Sequence, residues 1–510
     1  MPSGGTLAFR NTAAVWLMAS RADPTLSIIV TAKTAVLGCR FSTRTDATST
    51  NWGVLRWYGS RLSRIGQMST HAIDTVLRVR LLHRPGQLAL FATALGDLGA
   101  LIGDIITVHI GEGTSVRDIT IETIDESHTE RVLAGIAKMD GVTVQSKRDL
   151  VFECHRGGKI HSSSRVELRQ LRDLRNIYTP GVARVAQAIK RDPEHAWELT
   201  GLGNSVGIFT NGSRVLGLGN IGPLASLPVM EGKAVLYDKF VGISATPILI
   251  DTLEEKAFIE TVVRISRTFG GIHLEDIRVP ECFRIESELD RLIDKPVMHD
   301  DQHGTATVAL AAIINACRLT NKKLKGSRLG QIGLGAAGSA IARLALAYGV
   351  ENVLVTDVSN EAVTKMEAQG ARGADLQTLM RDADIVVATT GKPGLIAPRM
   401  IRQGQVIFAL SNPIPEITPE DAKAAGAAFA ADGQSINNAL AFPGLFKGTL
   451  NVRSRAIRPE MLITAAETIA HHADHHEVVP SPLNLAVHRA VAKAVSECAQ
   501  KIGLAGTAKL

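Results

Sequence analysis

The sequence of 510 residues predicts an α/β protein with three folded parts, and three observations support this class. Hydrophobic residues make up 45% of the chain, which is enough for well-buried cores. Residues 75–147 alternate short apolar strands with two helical stretches. From residue 305 onward, strand-like runs alternate regularly with helical ones, which is typical of a doubly wound parallel sheet.

The first part is predicted to be a ferredoxin-like βαββαβ unit. Its hydrophobic pattern gives strands at 75–82, 101–109, 118–123 and 141–144, with helices at 87–98 and 128–139. The first loop reads His83-Arg84-Pro85-Gly86. It resembles the ligand loop of ACT regulatory domains, which bind small metabolites, but a Pro-Gly pair can also form a simple turn here. A regulatory binding site at this loop is therefore one of two open interpretations.

The doubly wound part begins with an Ala-rich helix at 305–319. Strand-like runs follow at 331–332, 353–356, 385–389 and 406–410. We predict four ranges in all: a basic leader at 1–67, the ferredoxin-like unit at 68–150, a mixed α/β domain at 151–304, and the doubly wound domain with a C-terminal helix at 305–510. The leader is expected to be disordered, an over-extended translation start or a targeting segment.

The net charge is confined to the beginning of the chain. Residues 1–67 carry the whole formal net charge of +6, so the formally neutral remainder argues against nucleic acid as a partner. No apolar run approaches the ~20 residues that a membrane helix needs. The five cysteines are scattered without a C-x-x-C pair, which a reducing compartment permits, and we expect a cytoplasmic protein.

The pattern G-x-G-x-x-G occurs twice, at 217–222 and at 333–338. After the first match, Pro223, Pro228 and Gly232 interrupt the interval, and 234–237 reads as a strand, so no helix is expected there. After the second match a continuous helical run leads to a strand ending at Asp357. We therefore predict dinucleotide binding at the second match, by Gly333, Gly335, Ala336, Ala337 and Gly338.

Asp357 indicates which dinucleotide this loop binds. A carboxylate at this position accepts hydrogen bonds from the ribose hydroxyls and repels a 2′-phosphate, and no arginine follows it. We predict NAD as the cofactor, with NADP as the alternative. A plain turn at the end of the strand is the competing explanation for Asp357.

Two acidic pairs precede this domain. Glu275 and Asp276 can reach one ion only at a strand end or a bend, because neighbours on a strand face opposite sides. Asp300 and Asp301 stand just before the helix predicted at 305, where two carboxylates repel unless a cation is near. Together they predict a site for a hard divalent cation, Mg²⁺ or Mn²⁺. A surface turn and a helix cap are the simpler alternatives.

An ordered set of motifs resembles the malic enzyme family, in its bacterial type with an N-terminal ACT domain. The resemblance runs from about residue 75 to the C-terminal helix. It rests on Tyr178-Thr-Pro-Gly, Val215-Leu-Gly-Leu-Gly-Asn-Ile-Gly, Met230-Glu-Gly-Lys-Ala, Leu274-Glu-Asp-Ile, His299-Asp-Asp-Gln-His-Gly-Thr, Ser411-Asn-Pro and Asn437-Asn-Ala-Leu-Ala-Phe-Pro-Gly.

The resemblance implies oxidative decarboxylation of L-malate to pyruvate. It implies metal ligation by Glu275, Asp276 and Asp301, with Asp300 beside them. It implies that Lys233, with its pKa lowered near the metal, is the base and that Tyr178 is the acid, although position alone favours ordinary structural roles for both. The remaining implied contacts are Arg214 with the substrate carboxylate, and Asn412 and Asn438 with the malate and nicotinamide pocket.

Three other functions stay open. A malolactic-type enzyme would retain NAD and release lactate, a metal-independent dehydrogenase would leave the acidic pairs unexplained, and a metabolite sensor would bind without turnover. The ACT resemblance further implies a small-molecule effector and allosteric regulation. It also implies a homodimer or homotetramer.

Overall fold

The computed structural model describes residues 73–215 and 217–506. The predicted leader at 1–67 lies outside the described residues. Within the described part of the chain, no helix is long and apolar enough to cross a membrane. The described strands form three sheets, one antiparallel and two parallel.

The first sheet belongs to a βαββαβ unit, as predicted. Its strands lie in the order β2-β3-β1-β4 and all pairs are antiparallel. The strands alternate, so Leu77 and Val79 pack under Phe91 and Val132 of the two helices. The elements are β1 (Ile73–Leu82), α1 (Gln87–Asp97), β2 (Leu101–Ile110), β3 (Thr114–Thr123), α2 (Glu126–Ile136) and β4 (Val142–Asp149).

The middle part is built on a parallel sheet of four strands in the order β6-β5-β7-β8. Its strands are β5 (Ser205–Thr210), β6 (Ser244–Leu249), β7 (Gly271–Leu274) and β8 (Val297–His299). Its helices are α3 (Leu150–His155), α4 (Leu171–Ile177), α5 (Val182–Arg191), α6 (His195–Leu199), α7 (Gly222–Val241), α8 (Glu255–Ile265) and α9 (Glu281–Leu292).

The predicted strand at 234–237 is wrong, because these residues lie inside α7. Pro223 occupies the first turn, where a missing N–H costs nothing, and Pro228 follows soon after it. Met230, Ala234 and Tyr237 recur at helical spacing and are buried against the shared core, so packing outweighs the cost of ~3 kcal/mol for an internal proline. A four-residue apolar run fits a strand or a buried helix segment equally well by its pattern alone.

The doubly wound part has six parallel strands in the order β11-β10-β9-β12-β13-β14, as predicted for a dinucleotide-binding fold. Its strands are β9 (Arg328–Ile332), β10 (Asn352–Thr356), β11 (Arg372–Gly373), β12 (Ile385–Ala388), β13 (Val406–Ala409) and β14 (Phe429–Asp432). Its helices are α10 (Asp300–Leu319), α11 (Ala336–Tyr348), α12 (Asn360–Glu367), α13 (Leu376–Asp382) and α14 (Pro419–Ala424).

Three C-terminal helices connect the two parallel sheets. They are α15 (Phe442–Asn451), α16 (Pro459–His471) and α17 (Leu485–Lys501). Helix α15 packs on α7, whereas α16 packs on α10 and α11. Tyr237, Phe408 and Phe442 consequently belong to one continuous hydrophobic core that spans both parts. This shared core fixes the positions of Glu275, Asp276 and Asp301 relative to the glycine loop.

Candidate active site

An acidic cluster forms where β7 and β8 end. Leu274 pairs with His299 in parallel register, so the residues that follow each strand emerge at the same edge of the sheet. Glu275, Asp276 and Asp301 each place one carboxylate oxygen within 4.8 Å of the others. Asp276 adopts a left-handed backbone (φ 54°), and this bend lets two adjacent acids face one point.

The cluster has the electrostatics of a site for a hard cation. Burial and the neighbouring acids raise the pKa of Glu275 to about 7 and that of Asp276 to about 8. Asp301 differs: burial opposes its charge, but the hydrogen bond and charge of His299 lower its pKa to about 2. Asp276 Oδ2 is buried without a hydrogen-bond partner among the described residues. An unpartnered oxygen among three carboxylates fits Mg²⁺ or Mn²⁺.

Lys233 enters the cluster from the middle of α7. Its Nζ lies 3.1 Å from Glu275 Oε1, contacts Asp300 Oδ2, and sits 4.7 Å from the centre of the Phe442 ring. The side chain is only 11% exposed. Burial lowers its pKa, but the charges of Asp300 and Glu275 outweigh burial and raise it above the ordinary lysine value. The sequence analysis expected the pKa of Lys233 to be lowered near the metal. Without a metal, the protein alone raises it.

Asp300 contacts both Lys233 and Asn438. Asn438 Nδ2 donates a hydrogen bond of 2.6 Å to Asp300 Oδ2, the oxygen that Lys233 contacts. Helix α10 starts at Asp300, five residues earlier than predicted, so both acids lie in its first turn and neither is the cap. Acids are favourable there because the helix N-terminus carries partial positive charge.

His273 is a site residue that the sequence analysis missed. Its Nε2 lies 2.6 Å from Glu275 Oε2 and its Nδ1 lies 2.8 Å from the Tyr237 hydroxyl. Burial lowers the pKa of His273 to about 3, so the ring is neutral. The signal was available, because His273 and Glu275 are two residues apart and share one side of their strand.

The predicted glycine loop joins β9 to α11 as expected. Gly333 has a φ of 88°, and a Cβ on Gly338 would lie 1.9 Å from the Gly333 carbonyl oxygen. A Cβ on Gly335, in contrast, would meet no atom within 4 Å. The outer glycines thus serve the turn and the helix packing, while the middle one leaves an open approach for a pyrophosphate at the N-terminus of α11.

Asp357 stands at the end of β10 beside this loop. Its Oδ2 accepts a 2.6 Å hydrogen bond from the Leu334 amide and its Oδ1 accepts a 2.8 Å bond from the Ser359 amide. These two bonds hold the carboxylate next to the glycine loop. The following residue, Val358, is fully exposed and offers no positive charge.

One cavity of about 450 Å³ is lined both by Asp301 of the acidic cluster and by Gly335, Ala336 and Ala337 of the glycine loop. The predicted residues Arg214, Asn412 and Asn438 also line this cavity. Five further polar residues to which the sequence analysis gave no role also line it, namely Thr305, Thr389, Ser411, Gln434 and Asn437.

Of the residues predicted for catalysis and metal binding, Tyr178 belongs neither to the acidic cluster nor to the lining of this cavity. It caps the C-terminal end of α4, is 67% exposed, and is absent from the lining. The next helix, α5, begins at Val182.

Comparison with known protein families finds matches in three segments of the chain. Residues 158–257 match the malic enzyme N-terminal domain and 399–503 match the malic enzyme NAD-binding domain. Residues 301–392 match the NAD-binding domain of D-isomer specific 2-hydroxyacid dehydrogenases.

The chain is also similar to whole proteins. It is 49% identical over 434 residues to NAD-dependent malic enzyme 1 of Bacillus subtilis, covering 85% of this chain and 99% of that protein. It is 38% identical to the NAD-dependent malic enzyme of Geobacillus stearothermophilus, covering 81% and 92%. The malic enzyme of Pyrococcus horikoshii superimposes with a TM-score of 0.67 at 41% identity, covering 70% and 92%. The chain therefore belongs to the malic enzyme family.

Proposed function

We propose that this protein oxidises L-malate with NAD and decarboxylates the product to pyruvate and CO₂. The observation that carries the proposal is a cavity lined both by Asp301 of the acidic cluster and by residues of the glycine loop. The relatives from Bacillus subtilis and Geobacillus stearothermophilus are both named NAD-dependent malic enzymes, which supports this reaction and this cofactor.

Glu275, Asp276 and Asp301 would hold Mg²⁺ or Mn²⁺, and the bound ion would supply a Lewis acid for the C2 oxygen of the substrate. NAD would take up the hydride from C2 when it is bound on the loop of Gly333, Gly335 and Gly338. Arg214 would pair with a malate carboxylate, and Asn412 and Asn438 would position malate against the nicotinamide.

Lys233 would accept the proton of the C2 hydroxyl at its Nζ. This role requires a neutral amine, whereas the neighbouring acids keep the pKa high. A divalent cation on Glu275 and Asp301 would offset the charges that raise it, so the base becomes competent when the metal site is filled. Asp300 and Asn438 would orient the amine through the contacts that they share at Asp300 Oδ2.

Tyr178 would deliver the second proton, to C3 of enolpyruvate after CO₂ has left. The oxidation step removes a proton from the C2 hydroxyl, whereas the last step adds a proton to C3. We therefore assign a base to the first step and a separate acid to the second. The hydroxyl of an exposed tyrosine at the end of α4 can serve this role only if another surface closes over it.

The ferredoxin-like unit would act as a regulatory ACT domain. A cavity of about 320 Å³ next to its first loop is lined by His83, Arg84 and Arg117, so an anionic metabolite fits it best. The alignment with the Bacillus subtilis enzyme is too long to omit this unit, which supports a shared arrangement. A bound effector would shift the affinity for malate by a coupling of about 1–3 kcal/mol.

The test uses purified, metal-stripped, full-length protein given L-malate with NAD or NADP, with and without Mn²⁺. Formation of reduced nicotinamide is followed by fluorescence, and the product is identified as pyruvate or lactate. Metal-dependent NADH formation with pyruvate is the expected result. Lactate without net NADH would indicate the malolactic reaction, and a preference for NADP would show that Asp357 does not set the choice.

A further inference from the structure

Glu286 is a largely buried acid on α9 that lies outside the acidic cluster. Its side chain is only 13% exposed, and its helix neighbours Ile285 and Leu289 are buried. Burial opposes the charge on this carboxyl group, but the charge and hydrogen bond of His303, followed by those of His299, lower its pKa below the ordinary value. Glu286 is therefore an ionised carboxylate that needs donors on its oxygens.

Groups at the start of α10 supply these donors. The backbone amide of His299, the residue before the helix, donates to Glu286 Oε1 at 2.7 Å. The Nε2 of Gln302 donates to Oε2 at 2.8 Å, and the Nε2 of His303 lies 3.1 Å from the same oxygen. Helix α10 has no side-chain cap of its own among the described residues, so the Glu286 carboxylate holds the first turn from outside the helix.

This first turn also carries Asp300 and Asp301, and Asp301 belongs to the acidic cluster. His299 precedes the pair directly and Gln302 follows it. Glu286 therefore binds the residue on each side of the pair. A shift of this turn would move the Asp301 carboxylate relative to the other two acids of the cluster.

Gln302 extends the contact to the dinucleotide-binding part of the chain. Gln302 is 1% exposed, and its Oε1 accepts a 2.9 Å hydrogen bond from Arg343 Nη2 on α11. Because a guanidinium only donates and a carboxylate only accepts, Arg343 fixes the amide oxygen and Glu286 fixes the amide nitrogen. The orientation of the Gln302 side chain is thus determined at both ends, and its contacts join α9, α10 and α11.

We propose that Glu286 is a positioning residue for the metal site, which holds the first turn of α10 so that Asp301 is preorganised for the divalent cation. The inference rests on the proposed function, because it takes Glu275, Asp276 and Asp301 as the metal ligands. Groups that orient the ligands of a metal from behind commonly set its affinity, and their loss costs about 10- to 100-fold. Helix α9 of the middle part thereby fixes an acid on the first helix of the doubly wound part.

Calorimetric Mn²⁺ titration of the full-length, metal-stripped protein tests the positioning role. Glu286→Gln keeps the size of the side chain but turns an amide group toward donors, so Mn²⁺ affinity is expected to fall about tenfold or more. Asp290→Asn is the matched control, because Asp290 lies one turn further along α9 and pairs with Arg458 at 2.9 Å instead of with α10. Unchanged Mn²⁺ affinity in Glu286→Gln, or an equal loss in both variants, would overturn the proposal.

Chemical rescue separates positioning from general stability. Glu286, Gln302 and Arg343 line a cavity of about 290 Å³, so a small carboxylate can reach the space that Glu286→Ala leaves. Acetate is expected to restore much of the Mn²⁺ affinity of Glu286→Ala, whereas chloride at the same ionic strength should not, and the wild type should not respond to either. A lower melting temperature of the metal-free variant with normal Mn²⁺ affinity would show a purely structural role and overturn the proposal.

Failure of the proposed function is recognised separately, because the readout is metal binding. Wild-type protein that binds Mn²⁺ without malate turnover would refute the proposed reaction, while Glu286→Gln would still decide the positioning role. Wild-type protein that binds no Mn²⁺ would refute the metal site and the proposal together. In active protein, Glu286→Gln should raise the Mn²⁺ concentration at half-maximal rate with little change in kcat at saturating Mn²⁺. A loss in kcat alone would contradict the proposal.

Discussion

The acidic cluster and the exposed end of α4 hold the two proposed proton-transfer groups in opposite environments. Lys233 is buried among fixed carboxylates, so its charge state is set by neighbours within the same chain. Tyr178 is exposed on a helix pair without a core of its own. The neighbouring acids decide the charge state of Lys233, whereas the side chain of Tyr178 is largely open to solvent.

Removing the buried group should have the largest effect. Lys233→Ala is expected to lower turnover by about 10³-fold or more, both for malate oxidation and for decarboxylation of added oxaloacetate. The amine contacts Glu275 and Asp300 and also accepts the proton of the C2 hydroxyl, so its loss affects both reactions. Steady-state rates with each substrate measure this. Lys239→Ala, an exposed lysine of the same helix, should leave both rates unchanged. Equal loss in both variants would assign the effect to helix damage.

Tyr178→Phe should have a smaller and more selective effect. CO₂ release is expected to continue while pyruvate formation slows by about 10²-fold, because only the protonation of C3 is affected. Following CO₂ and pyruvate in the same reaction separates the two steps. Tyr348→Phe, at the end of α11, is the matched control. Unchanged pyruvate formation by Tyr178→Phe would remove the tyrosine from the scheme.

The buried cluster also predicts a pH dependence for metal binding. Glu275 and Asp276 have pKa values of about 7 and about 8, above their unfolded values, so both are largely protonated at pH 6. A bound cation must displace these protons, so Mn²⁺ affinity should rise about tenfold per pH unit for each proton displaced and level off above about pH 8. Calorimetric Mn²⁺ titrations from pH 6 to pH 9 measure this. Asp276→Asn should flatten the slope, and a flat profile in the wild type would contradict the prediction.

The smallest effect is expected from Glu416, a buried acid outside the cluster. Its Oε1 accepts from the Thr390 amide and hydroxyl and from the Ser411 hydroxyl, which ties together two loops of the cavity. Glu416→Gln should raise the KM for NAD by about tenfold with little change in kcat, because it loosens the loops without touching reacting atoms. Steady-state kinetics decide this, with Glu477→Gln, an exposed acid, as control. A change in kcat alone would refute a positioning role.

Local sequence determined the cofactor loop. The strand, the three glycines, the helix and Asp357 are contiguous, so their spacing alone placed them correctly from β9 to β10. The six elements of the ferredoxin-like unit were also predicted in the right order, because each short amphipathic run carries its own period. In both regions neighbouring residues supply all the information that the local structure requires.

Tertiary structure decided the rest. The helical period of α7 was hidden by two prolines, and only packing against the shared core selected helix over strand. The acids at 275–276 and 300–301 meet because two strands pair in a given register, which no short segment specifies. The sequence thus determined which residue types are available to bind a metal, to bind a dinucleotide and to transfer protons. The fold decided that Lys233 lies buried among the acids and that Tyr178 stands outside, because burial depends on contacts between distant parts of the chain.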